Sequence, residues 1–176
     1  MKFIMFLILS IITSAGMAAA AEDGSVVTVE LGRNITMSLT ERTFNAGQAK
    51  IETCSSGSGI CGINGGIPFG IAAGMPKTFL SKLTLSVEQK TYTLDTSNMY
   101  NAWGKRPAEG KGAVKHLAAN CYGPMNCIVR GVFSEAAAAY AAEWAIVDGH
   151  AARTMLTGSK DIVDLFMKHI DPPGFE

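Results

Sequence analysis

Residues 134–156 read SEAAAAYAAEWAIVDGHAARTML, and the fold class turns on whether this stretch is one helix or two strands. The run Ala136 to Ala139, the acids Glu135 and Glu143 and a capping Ser134 favour a helix by intrinsic propensity. Two features oppose it. A helix here would carry almost no charge on its outer face, and Asp148-Gly149 stands where a two-residue hairpin turn belongs. With that turn Val147 faces His150, Ile146 faces Ala151 and Trp144 faces Arg153, whose guanidinium can stack on the indole. The expectation is therefore a β-hairpin, with the alanines marking where another layer closely covers the sheet.

Two further stretches carry the same period-two signal. From Val26 to Thr40, Val27, Val29 and Leu31 share one face, Gly32-Arg33-Asn34 reads as a three-residue turn, and Ile35, Met37 and Leu39 return with Thr36, Ser38 and Thr40 between them. The pattern recurs at Leu83, Leu85, Val87, Tyr92 and Leu94, with a turn near Glu88-Gln89-Lys90. Cys127 to Val132 reads as another strand, and Ala113 to Asn120 as a short helix before Cys121. The last element is a helix that Ser159 can cap, with Ile162, Leu165, Phe166 and Ile170 at helical spacing. Asp161 at its start and Lys168 and His169 at its end suit the helix dipole, and Pro172-Pro173 stops it. Together these elements predict an α+β fold: an antiparallel, β-rich, sandwich-like domain with a C-terminal α-helix packed on the sheet.

The start of the chain reads as an export signal. Lys2 is followed by the apolar run Phe3 to Ile12, broken only by Ser10, and then by small residues ending in the Ala-x-Ala cut site Ala19-Ala20-Ala21. The run falls well short of the roughly 20 residues a membrane-spanning helix needs, so no span is expected. The domain division is therefore residues 1–21 as signal peptide and residues 22–176 as a single secreted domain, periplasmic or released to the medium. Fifteen Lys and Arg balance fifteen Asp and Glu, and loss of Lys2 with the signal leaves a net charge of about minus one. No basic stripe is present, which argues against nucleic acid as a partner.

All four cysteines, Cys54, Cys61, Cys121 and Cys127, lie after the signal, where oxidation makes disulfides the default. Joining sequence neighbours, Cys54 with Cys61 and Cys121 with Cys127, closes two short loops rich in turn residues; crossed pairings also satisfy the sequence. A zinc site fits less well, because neither pair has the usual Cys-x2-4-Cys spacing, and no metal or cofactor is expected.

Two stretches have the composition of surface loops. Ser55 to Gly74 holds seven glycines among Ile60, Ile63, Ile67, Pro68, Phe69 and Ile71. Within it Gly57-Ser58-Gly59-Ile60-Cys61-Gly62 matches G-x-G-x-x-G letter for letter, yet more glycines and Pro68 follow instead of a helix and a ribose-binding acid, so the match is accidental. Asn98 to Gly112 brings Tyr100 and Trp103 up to the basic Lys105-Arg106. Such aromatics serve either as a recognition surface or as the rim of the core.

No nucleophile elbow occurs, and the three histidines, His116, His150 and His169, do not share a spacing that suggests one site. Glu143 is the leading candidate for carboxylate chemistry, since an acid buried within an apolar strand has a raised pKa; pairing with a basic neighbour is the alternative. Arg130 and Arg153 read as structural ion-pair residues or as receivers of an anionic ligand. The loop Cys121 to Cys127 is similar in kind to the disulfide-bounded loop with which one family of periplasmic lysozyme inhibitors plugs its target's cleft, although spacing and residues differ. The expected function is a non-enzymatic binding protein with a protein partner, an inhibitor or immunity protein directed at an envelope-acting toxin or hydrolase. Tyr100, Trp103, Tyr122 and Met125 are the expected contact residues. The alternatives are a small envelope hydrolase using Glu143 or a histidine, and a structural or ligand-carrying envelope module.

Overall fold

Alternating residues in four hairpins sort themselves into two faces, and the buried faces meet. A computed structural model describes residues 24–103 and 116–174; the expected signal segment 1–21 and most of the Lys- and Arg-containing stretch after Trp103 lie outside them. Strands β1 (Ser25–Gly32), β2 (Ile35–Thr43), β5 (Thr78–Val87) and β6 (Lys90–Thr93) form one antiparallel sheet in the order β1-β2-β5-β6. Strands β7 (Leu117–Cys121), β8 (Cys127–Phe133), β9 (Tyr140–Val147) and β10 (His150–Thr157) form the second, in the order β10-β9-β8-β7. A small hairpin of β3 (Ile51–Thr53) and β4 (Ile60–Ile63) is inserted between β2 and β5.

The inner faces interdigitate in one core. Val29, Met37, Leu39, Leu83 and Leu85 of the first sheet meet Val129, Phe133, Tyr140, Trp144 and Ile146 of the second. Tyr140 stacks on Phe133 at 5.4 Å, and Trp144 meets Phe133 edge-on at 6.2 Å; such ring pairs add about 0.5–1.5 kcal/mol each beyond the area they bury. On the outer face of the second sheet Val132 and Ala141 pack against Val163 and Phe166 of helix α1 (Lys160–Lys168), making the third layer.

The decisive stretch is a hairpin with the expected register: Val147 pairs with His150, Ile146 with Ala151 and Trp144 with Arg153. Asp148 (φ 49°) and Gly149 (φ 80°) both take the left-handed conformation a tight turn demands. Arg153 does not stack on Trp144, however. Its guanidinium reaches Asp95 Oδ2 at 2.9 Å and the Ser97 carbonyl at 2.7 Å, while the Trp144 indole donates to the Asp95 carbonyl at 2.9 Å, so both side chains of the pair tie the second sheet to the end of the first. Burial works against charge on Asp95, but the Ser97 hydroxyl and amide and Arg153 outweigh it and hold its carboxyl below the usual range.

Several local expectations are corrected. Leu117–Cys121 is a strand and not part of a helix, because pairing with β8 satisfies its backbone and seats Leu117 opposite Gly131. The first turn has two residues, Arg33 and Asn34, since Gly32 pairs with Ile35. The Gly-rich stretch is not all loop: Ile60–Ile63 forms β4. In the helix, Val163 rather than Leu165 is buried beside Phe166, and Ser159 occupies the N-cap position without a side-chain capping bond. Ala141 does lie beneath the helix, but Ala136–Ala138 form a 3-10 turn outside the sheet.

Candidate protein-binding surface

Every odd-numbered passage through the two sheets ends at the same place. The turns Arg33–Asn34 and Glu88–Gln89 of the first sheet touch, Glu88 donating its N–H to the Asn34 carbonyl at 2.9 Å. The Cys121–Cys127 loop and the Asp148–Gly149 turn of the second sheet stand beside them, joined through Tyr92, whose hydroxyl donates to the Pro124 carbonyl at 2.7 Å. The four hairpin turns of the two four-stranded sheets thus crowd one end of the sandwich.

Within that end the disulfide loop is the most constrained feature. Cys121 and Cys127 face each other across β7 and β8 and are bonded, with their Cα atoms 4.0 Å apart; Cys54 and Cys61 form the other bridge, so the neighbour pairing is the one adopted. Tyr122 donates its N–H to the Asn126 carbonyl at 2.8 Å, closing the loop. Gly149 donates to the Met125 carbonyl at 2.9 Å and Asp148 to Asn126 Oδ1 at 3.1 Å, docking the loop on its neighbouring turn. The backbone is therefore satisfied by local partners, and the side chains are free to point outward: Tyr122 is 76% exposed, Met125 38% and the adjacent Val147 58%. Large apolar side chains held at this exposure on a rigid frame have the character of a candidate interaction surface.

The other two expected contact residues lie elsewhere. Tyr100 is only 7% exposed and packs edge-on to Phe44 at 5.6 Å, and Trp103 is half-buried against the core. Both belong to the opposite end, where the long connections run, so the structure does not unite them with Tyr122 and Met125; the core-rim alternative describes them. Their segment is fastened by Glu41, a residue the sequence reading passed over. Its Oε1 accepts from the Thr78 hydroxyl at 2.5 Å and from the Ala102 N–H at 2.8 Å, and it is 5% exposed. Burial raises its pKa above the ordinary carboxylate value, against the lowering effect of those bonds. Carrying the alternation of Ile35, Met37 and Leu39 one step further would have placed Glu41 inward. The hydroxyl of fully buried Tyr140 has no hydrogen-bond partner among the described residues, and burial, with Glu41's charge nearby, pushes its pKa well up.

The residues considered for catalysis do not converge. Glu143 bonds Arg130 Nε at 2.8 Å and the Thr154 hydroxyl at 3.0 Å, and the Arg130 guanidinium lies 4.7 Å from the centre of the Phe166 ring, so both residues fasten the helix side of the second sheet. His116 precedes β7, His150 begins β10 and His169 ends α1. Among the described residues no three His, Cys, Asp or Glu side chains are grouped as metal ligands, and no helix is long and apolar enough to cross a membrane. Both cysteine pairs are oxidised within the chain, as in extracytoplasmic proteins. No protein-family model matches the chain, and comparison with curated proteins and with solved structures returns no significant match.

Proposed function

We propose that this chain is an exported, non-enzymatic binding protein, working in the periplasm or outside the cell, whose hairpin end inhibits or neutralises a toxin or hydrolase acting on the cell envelope. One observation carries the reading: the Cys121–Cys127 loop is braced by a disulfide, by Tyr92 and by the neighbouring turn, while Tyr122 and Met125 stay exposed. A turn serving only to reverse the chain needs none of this bracing. Preorganisation lowers the ordering cost of association, and aromatic side chains presented on such a frame are the usual anchors of a protein interface. A narrow convex loop suits a concave target such as an enzyme's cleft.

The test uses residues 22–176 as immobilised bait in an envelope extract, beside the same chain carrying Tyr122→Ala and Met125→Ala. A protein retained by the first and lost by the second, whose lytic or hydrolytic activity falls when the purified bait is added, is the expected result. Identical captures by the two baits would refute the reading.

A further inference from the structure

A second surface lies away from the hairpin end. Between the beginning of α1 and the connection from β8 to β9 is a cleft of about 630 Å³, within the roughly 300–1,000 Å³ typical of small-molecule sites. Its apolar lining comes from Val132, Ala137, Ala139, Val163 and Met167. The alanines leave the space open where larger side chains would fill it. The wall is also held in an unusual backbone state: Ser134 (φ 63°) and Ala136 (φ 49°) are both left-handed, and the Ser134 N–H is fixed by the Ala102 carbonyl at 2.7 Å. Side-chain-bearing residues adopt that conformation where their surroundings enforce it, commonly beside binding sites.

Four ionisable residues also line the cleft: His116, Glu135, Lys160 and Asp164. Lys160 is already bonded to Asp164, so their charges cancel. The Glu135 side chain is exposed and its carboxylate has no hydrogen-bond or ion-pair partner among the described residues. Among the described residues lining the cleft, the charge left without a partner is therefore negative. The positive end of the α1 dipole would favour an anion, but Asp161 and Asp164 already occupy its first turns.

We propose that this cleft binds an amphipathic organic cation, with an ammonium group at Glu135 and an apolar body on the alanine and valine lining. The proposal is independent of the partner reading for the hairpin end. Residues 22–176 are titrated calorimetrically with decyltrimethylammonium below its micelle concentration, and with decyl sulfate at the same ionic strength. Saturable one-to-one binding of the cation, tighter than any binding of the sulfate, is expected. Glu135→Lys should weaken the cation by about fivefold or more, the upper range for an ion pair at a surface. Ala137→Phe, which fills the cleft from an exposed position, should abolish binding. Tyr122→Ala with Met125→Ala should leave it unchanged, which separates this site from the hairpin end. Equal binding of the sulfate, unaltered affinity in Glu135→Lys, or retained binding in Ala137→Phe would each overturn the proposal.

Discussion

The two ends of the sandwich are built from similar residues put to opposite uses. At the hairpin end the turns are short, and their polar backbone groups find partners within the same or the adjoining turn, leaving Tyr122, Met125 and Val147 outside. At the opposite end the connections are long, and they reach the core only by spending side chains inside it. The Tyr100 N–H donates to the Phe69 carbonyl at 3.0 Å and the Phe69 N–H to the Asn98 carbonyl at 2.9 Å, and Phe69 approaches Tyr140 at 6.3 Å. Asn101 secures Lys77, Thr78 and Gly70 through its amide, and Glu41 secures Ala102. Apolar and aromatic residues become available for a partner where the backbone is satisfied locally, and become structural where they must hold a long segment down.

The largest effect should come from the opposite end. Gly70 has φ 90°, and a Cβ there would stand 1.8 Å from the Tyr100 carbonyl oxygen. Gly70→Ala should therefore cost about 3 kcal/mol or more, measured by urea unfolding, through combined strain and displacement of the Tyr100 strand segment. A loss below 1 kcal/mol would mean that this end is not as tightly packed as described.

At the hairpin end, Cys121→Ser with Cys127→Ser should lower stability by about 2–3 kcal/mol on the chain-entropy account and also weaken partner capture. Thiol labelling of unreduced protein in denaturant should find no reactive thiol, and four after reduction. Free thiols before reduction would remove the brace on which the comparison rests.

Glu41 separates charge from hydrogen bonding. Glu41→Ala should cost about 1–3 kcal/mol, because the Ala102 N–H loses its buried acceptor. Glu41→Gln keeps an acceptor oxygen and avoids a buried charge, and should be far milder. Since burial raises the folded-state pKa above the ordinary glutamate value of 4.5, the folded protein binds the proton more tightly. Glu41 thus favours folding below pH 4.5, and this contribution disappears as pH rises through the folded pKa. The stability difference between wild type and Glu41→Gln, followed by urea unfolding across that window, should shift in favour of the glutamine variant as pH rises; a pH-independent difference would contradict the buried-carboxylate account.

The smallest change in stability belongs to the exposed anchors. Tyr122→Ala with Met125→Ala should weaken partner binding by more than about 1 kcal/mol while leaving the thermal midpoint nearly unmoved. A lowered midpoint with unchanged affinity would make these side chains structural, like Tyr100, and erase the contrast between the ends.

The hairpins, their inward faces and the C-terminal helix were legible in the sequence because each depends on neighbours close along the chain. Alternation fixes which side chains share a face, and Asp148-Gly149 supplies the conformations its turn requires. Tertiary structure decided the matters that depend on pairing at a distance. Leu117–Cys121 became a strand because β8 offered it partners, and Arg153 turned from Trp144 to Asp95 because the first sheet ends there. Alternation along β2 points Glu41 inward, but it became a clamp only because the returning segment brings Thr78 and Ala102 to its carboxylate. Local composition made Tyr100 and Tyr122 equal candidates for a surface. Only the packing of remote segments buried one and left the other exposed, because burial is set by what the rest of the chain places against a side chain, and period and propensity do not encode that.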